Sequence, residues 1–345
     1  MSAEEGEKLR NMAIRMAHDG ERKKKLNQEE SCERSIIIIG SKGVGKTTMV
    51  NKFLEKDETP KPTTAMDYSF GRKAGKSLVK DIVHVWEIGH SATSLISAAM
   101  TGSAVVHSPN HTTIFIVVDL AKPKVLLSSI DECLAITTSA MKMSYSPEDI
   151  ENLKRHRTKE KKNGDENIEP FPMKLCIIGG NYDKFKEFSL DMKQHIGRSL
   201  RAISHSLAAD LQYHSSKDSV LMRKTKDLLS HHGFGSHTAR ATCVDYGKPL
   251  IISSGNDSFA SIDPAFSTMR PTSILDKVKQ SYVMKFPQDS TRDEEFNLDE
   301  DPTTNPSFNE TTIDRLRLQR EEEISMLLRD MHEHRSSKIP IPEPY

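Results

Sequence analysis

The segment Ile36-Ile37-Ile38-Ile39-Gly40-Ser41-Lys42-Gly43-Val44-Gly45-Lys46-Thr47-Thr48 decides the fold. Four β-branched residues run straight into G-x-x-x-x-G-K-T, the pattern of a buried strand feeding a phosphate-binding P-loop. Gly40, Gly43 and Gly45 allow a tight turn whose N–H groups point inward, and Lys46 can then reach terminal phosphates. The Thr47 hydroxyl stands where a Mg²⁺ ligand belongs, at the start of a helix whose dipole favours anions. Residues 40–48, including Ser41, Lys42, Val44 and Thr48, are therefore candidate nucleotide contacts. The competing reading is a vestigial loop that holds nothing.

Composition narrows the remaining classes. The chain has 345 residues, enough for one large α/β domain with appendages or two modest domains. Lys plus Arg and Asp plus Glu balance at 49 each, so no global field recruits nucleic acid or an anionic membrane. The four cysteines, Cys32, Cys133, Cys176 and Cys243, show no C-x-x-C spacing and read as ordinary thiols of a reducing compartment. Neither the charged N-terminus nor any later run offers the roughly 18 to 20 apolar residues of a membrane span. A cytosolic protein, or one on an intracellular scaffold, is expected, with no direct membrane insertion.

Apolar runs at 36–39, 114–120, 175–178 and 250–252 read as buried parallel strands of a doubly wound, mostly parallel sheet. Between them, Leu126, Ile130, Cys133 and Leu134 mark a helix over 125–143. Ile196, Leu200, Ile203 and Leu207 mark another. The expected organisation is a polar N-terminal arm at 1–33 and a P-loop domain at 34–286 carrying a surface insertion at about 144–172. An acidic disordered linker is expected at 287–308, an amphipathic helix at 309–336 and a Pro-rich tail at 337–345. The helix carries Ile313, Leu316, Ile324, Leu327, Leu328 and Met331, a stripe that must bury itself on its own domain or on a partner. The basic run at 154–162 reads as surface or as a docking patch for an acidic partner.

Further motifs resemble those of Ras-like GTPases. The stretch PKPTTAMDYSFGRK, 60–73, resembles switch I, with Thr63 in the place of the threonine that completes the Mg²⁺ shell. DIVHVWEIG, 81–89, resembles the third strand and W-D-x-x-G, but Glu87 replaces Asp, His90 replaces Gly, and Ser91 stands where a water-positioning Gln belongs. With Lys42 in the loop where a Gly is usual, efficient hydrolysis is not expected, and no catalytic residue is assigned. The strand ending in Asp119 suits a GTPase or a Walker B ATPase. Gly180-Asn181-Tyr182-Asp183 falls on N-K-x-D with only Asp183 retained, and Ser215-Ser216-Lys217 resembles the S-A-K loop. Asp183, Ser216 and Lys217 are the candidate base contacts, although Asp183 also suits the first turn of a helix. The ligand expected is GTP or GDP with Mg²⁺ held by Thr47 and Thr63. The fourteen histidines show no H-E-x-x-H or Cys/His ligand spacing, so no dedicated transition-metal site is expected.

Taken in order, these elements resemble the light intermediate chains of cytoplasmic dynein 2. The resemblance covers about residues 30 to 290 and rests on the K-P-T to Y-x-F-G-R stretch, W-E-x-G, and P-F-P before the Ile-Ile-Gly strand. It implies a degenerate Ras-like P-loop fold with a C-terminal helical extension and a non-catalytic accessory subunit. That subunit would bind and stabilise the dynein 2 heavy chain, together with other dynein 2 or intraflagellar transport subunits, in retrograde intraflagellar transport and cilium assembly. It would be found in the cytoplasm, on the cytoskeleton, and in the cilium at the axoneme and basal body. The alternatives are an independent Ras-like regulatory GTPase and, further off, a P-loop ATPase or kinase.

Overall fold

A computed structural model describes residues 33–74, 80–101, 109–159, 168, 170–236, 241–266, 269–289, 306 and 309–336. The expectations for the N-terminal arm, the Pro-rich tail, Cys32 and most of the acidic linker lie outside these residues. The chain divides into two units, 1–295 and 296–345.

In the first unit β1 (Glu33–Gly40) is the spine, pairing in parallel with β3 (Lys80–Ile88) on one side and β4 (Thr112–Asp119) on the other. β5 (Lys174–Gly180) and β6 (Asp210–Tyr213) extend the parallel run. β2 (Met66–Ala74) and β7 (Ile251–Ile252) close the two edges antiparallel, giving the order β2-β3-β1-β4-β5-β6-β7. The apolar run at 250–252 is thus a short antiparallel edge strand rather than a parallel one.

Alternation along a strand explains the continuous isoleucines of β1. Ile37 and Ile39 enter one apolar layer with Ile114, Ile116 and Ile177, while Ile36 and Ile38 enter the other with Phe115, Cys176 and Ile178. The first layer is covered by α2 (Thr93–Thr101), α3 (Pro123–Ser144) and α6 (Leu190–Ser206), through Ile96, Leu126, Ile130 and Ile196. The second is covered by α1 (Lys46–Phe53) and α7 (Ser219–Phe234), through Met49, Val50, Leu228 and Leu229. The helices expected from the stripes at 126–134 and 196–207 therefore lie on the sheet.

Two expectations need correction. The polar stretch at 144–172 is not wholly a surface excursion: α4 (Pro147–Lys159) runs through it. Leu153 of that helix is buried, and the Arg157 guanidinium donates to the Ala208 carbonyl at 2.9 Å. The helix has only two apolar residues, Ile150 and Leu153, on its thirteen, too sparse a stripe to read from sequence. Gln288 and Asp289, expected to open the linker, are instead bonded to the first turns of α3. Gln288 Oε1 accepts from the N–H groups of Leu127 and Ser128, both at 3.1 Å, and so caps the start of α3 from a distance. α5 (Tyr182–Phe185), α8 (Phe259–Ile262) and α9 (Pro271–Lys285) complete the unit. α8 and α9 form a third cluster with Ala202 of α6, built on Phe259, Ile262, Ile274 and Val278.

The second unit is α10 (Thr311–Ser336), the expected helix, with Ile313, Leu316, Ile324, Leu327, Leu328 and Met331 all exposed. Its polar face carries Arg317–Glu321 and Arg320–Glu323 pairs at helical spacing. No described helix is long and apolar enough to cross a membrane.

Candidate nucleotide site

The P-loop leaves the C-terminal end of β1 in the conformation its glycines allow. Gly40, Gly43 and Gly45 have φ of 129°, 73° and 95°. A Cβ at Gly40 would lie 1.9 Å from the Val117 carbonyl oxygen, so the loop can pass β4 only with hydrogen there. At Gly43 and Gly45 a Cβ would meet open space, so their positive φ rather than crowding is what favours glycine there. Lys46 is buried, and its ammonium donates to the carbonyls of Gly40 and Ser41 at 2.9 and 3.0 Å. Lys42 is exposed and Val44 is buried. Val44 packs against Gly180, where a Cβ would approach its Cγ2 to 2.4 Å. The Asn position of N-K-x-D is thus used by this chain for packing against the P-loop rather than for an amide.

Thr47, Thr63 and Glu87 converge. The Thr47 hydroxyl donates to Glu87 Oε1 at 2.6 Å and lies 3.4 Å from the Thr63 hydroxyl. Asp119, the Walker B alternative, instead closes its own turn by accepting from Ala121 N at 2.9 Å. Thr63 is held in place by Gly89: the Gly89 N–H donates to the Ala65 carbonyl at 2.8 Å, and a Cβ at Gly89 would lie 1.9 Å from the Thr63 carbonyl oxygen. Glu87, which the sequence shows as a departure from W-D-x-x-G, and Gly89, which ends the W-E-x-G stretch, are therefore the residues that join the P-loop to the switch I-like segment.

Glu87 is 2% exposed, and its Oε2 has no hydrogen-bond partner. Burial pushes its carboxyl above the usual range, against the Thr47 hydroxyl, the Lys46 charge and the Thr63 hydroxyl, which favour the ion. An acid whose folded pKa is raised costs stability as pH rises through the window between its unfolded and folded values. Glu87→Gln keeps an acceptor for Thr47 and removes that cost. The variant should melt higher than the parent at neutral pH, with the gap closing toward pH 4; calorimetry at the two pH values checks it, and no gap at neutral pH would refute it.

At the other end of the site, Asp183 accepts from Ser215 Oγ at 2.9 Å and pairs with Lys217 Nζ at 2.8 Å. The Lys217 bond chiefly holds its carboxyl below the ordinary range, with burial opposing and Ser215 assisting. Asp183 is also in the first turn of the four-residue helix α5, so both readings of that residue are realised. Tyr182 packs on Phe185 and Tyr213. Ser216 is exposed, and Ser215, one position earlier in the S-A-K-like loop, is the serine that meets Asp183. Thr47 and Thr63 come together, and so do Asp183 and Lys217, but Ser216 joins neither group. The open glycine cradle and the buried Glu87 oxygen beside Thr47 suit a Mg²⁺-bound phosphate, with Thr47 and Thr63 as its hydroxyl ligands.

A family model described as dynein light intermediate chain matches residues 19–176. Relatives named cytoplasmic dynein 2 light intermediate chain 1 include one from Danio rerio, 32% identical over 315 residues and covering 86% of each chain. The Mus musculus relative is 34% identical over 310 residues, covering 85% of this chain and 86% of its own. The Homo sapiens relative is 32% identical over 318 residues, covering 87% and 89%. Among solved structures, a crystal structure of the conserved domain of a dynein light intermediate chain aligns with TM-score 0.57 and 13% identity, over 78% of this chain and 99% of that one. That likeness shows a shared α/β fold. The chain belongs to the dynein light intermediate chain family, with its relatives in cytoplasmic dynein 2.

Proposed function

We propose that the chain is a non-catalytic accessory subunit of the dynein 2 motor that binds and stabilises the heavy chain. Its work would be retrograde intraflagellar transport and cilium assembly, in the cytoplasm, on the cytoskeleton, and in the cilium at the axoneme and basal body. The observation that carries this reading is identity at 32–34% to dynein 2 light intermediate chains over more than four fifths of the chain. The site supports it. A switch II glutamate bonded directly to Thr47, and Ser91 in the place of the catalytic Gln, suit a nucleotide held as structure rather than turned over. In this reading residues 40–48, Asp183, Ser216 and Lys217 contact GTP or GDP, and bound ligand adds stability by mass action.

The apolar stripe of α10 gives the subunit a second surface for a heavy chain or another transport subunit. Purification of the tagged full chain from ciliated cells should recover a dynein 2 heavy chain in stoichiometric amount. Recovery of exchange factors or activating proteins without heavy chain would overturn the reading. Deleting 311–336 measures the helix's share, and unchanged heavy-chain recovery would remove it from the interface.

The complete G-x-x-x-x-G-K-T favours one other reading, an independent Ras-like GTPase. Lys46→Ala separates the two: a switch loses transport together with nucleotide binding, whereas a scaffold that remains folded keeps its heavy chain. Labelled GTP and ATP distinguish a guanine site from an ATPase.

A further inference from the structure

Cys176, Asp210 and His232 come from three separate elements and meet in the apolar layer beneath α7. Cys176 and Asp210 are paired positions of the parallel strands β5 and β6, and His232 is in the last turn of α7. Sequence spacing conceals the group, because its members are 34 and 22 residues apart. His232 Nε2 is 2.8 Å from Asp210 Oδ2 and 3.2 Å from Cys176 Sγ, while that sulfur is 3.7 Å from the same carboxylate oxygen. One thiol, one imidazole and one carboxylate thus aim single ligand atoms at one point, with all three atoms within 4.8 Å of one another.

We propose that these three side chains form a structural zinc site. Tetrahedral zinc has bonds of about 2.0 Å to nitrogen and oxygen and about 2.3 Å to sulfur, which place its ligand atoms about 3.3 to 3.6 Å apart. The observed triangle brackets those edges, so side-chain adjustments of a few tenths of an ångström suffice. The outer atoms are already fixed as a metal site requires. Ser254 N–H donates to Asp210 Oδ1 at 2.6 Å, leaving Oδ2 for the ion. Thr113 Oγ1 lies 3.2 Å from His232 Nδ1 and can accept its proton, leaving Nε2 unprotonated toward the ion. Phe115 holds the imidazole edge-on, with centroids 5.5 Å apart.

Charge selects the ion. Cys176 and Asp210 are both buried, and a thiolate beside a carboxylate there would repel without a cation. Divalent zinc neutralises both: the thiol releases its proton to solvent, and the bound imidazole carries its one proton on Nδ1, facing Thr113. The sulfur favours zinc over magnesium or calcium. The three described ligands leave a fourth position for water. The site would fasten β5, β6 and α7, and it is independent of the nucleotide reading, since its sheet row is two residues short of the P-loop along the strands.

The test uses the full chain, without a histidine tag, reduced, stripped of metal by chelation and titrated with cobalt(II). One equivalent should bind with an intense thiolate-to-cobalt absorption and the visible bands of tetrahedral cobalt, displaced by zinc. Cys176→Ser should abolish the thiolate band, and Cys133→Ser should keep it. Zinc should raise the melting temperature of the parent and not of Asp210→Asn. Should the variants not fold, X-ray absorption of the zinc-loaded parent decides, with a sulfur neighbour at about 2.3 Å expected. Failure to bind a stoichiometric metal, a band that survives Cys176→Ser, or a shell of nitrogen and oxygen alone would overturn the proposal.

Discussion

Arg201→Met is expected to destabilise the fold by about 3 to 5 kcal/mol, because it strands a buried carboxylate. Arg201 and Asp257 are 4% and 5% exposed at their side chains. The guanidinium binds Asp257 through two bonds of 2.9 and 2.7 Å and reaches Tyr246 and Ser261 with its remaining donors. These bonds tie α6 to the segments on either side of β7 and to α8. Burial alone would push the Asp257 carboxyl up. The Arg201 and Ser261 hydrogen bonds, the Arg201 charge and the Ser258 N–H outweigh it and hold the carboxyl low.

Because that folded pKa is depressed, its stabilisation is complete above the unfolded carboxylate range and fades as pH falls through the folded value. For a domain of this size the midpoint should fall by roughly 6 to 20 °C at neutral pH. The double variant Arg201→Met, Asp257→Leu should recover most of the loss, since it removes the charge as well as its partner. Calorimetric melts of the parent, the two single variants and the double variant decide the matter. A single-variant loss below about 1 kcal/mol would mean that the pair behaves like a surface ion pair.

Acid should weaken the region around the Ser215–Lys217 loop through His214. This residue is 1% exposed, and its Nδ1 lies 2.9 Å from Thr225 Oγ1. Thr225 donates its own proton to the Leu221 carbonyl, so the imidazole must supply the N–H, and its Nε2 has no hydrogen-bond partner. Burial lowers the pKa from 6.5 to about 4. Below pH 6.5 the unfolded chain takes the proton that the native chain refuses, so stability falls with pH across that window and levels off below about 4. The full loss is roughly 3 kcal/mol. His214→Asn retains an N–H for Thr225 and should lose this slope. Urea midpoints measured from pH 7 to pH 4 compare the two, and an equal slope in both would refute the assignment. Since the His214 N–H and carbonyl bond Gly179 and Tyr182, protonation should loosen Asp183 first.

The fold was legible where local pattern and global role coincide. Four isoleucines before G-x-x-x-x-G-K-T can satisfy alternation only if both faces of the strand are buried, and the sheet has an apolar layer on each side of them. Helices α3 and α6 announce themselves by stripes that the sheet then covers. The antiparallel edge at Ile251–Ile252 was not legible, because two apolar residues carry no direction. Nor was the Gln288 cap on α3, since a remote cap has no spacing rule.

The site shows the same division. The G-x-x-x-x-G-K-T pattern and the loss of N-K-x-D are readable along the chain, because each is a matter of residue type at short spacing, whereas the place of Thr63 beside Thr47 was suggested only by the resemblance of 60–73 to switch I. That Glu87 is the partner of Thr47, that Ser215 rather than Ser216 meets Asp183, and that Gly180 packs on Val44 emerges from the folded arrangement. It alone brought Cys176, Asp210 and His232 to one point, and Arg201 to Asp257. These are contacts between elements far apart in the chain. Their geometry follows from how helices lie on the sheet, which local periodicity constrains and packing fixes.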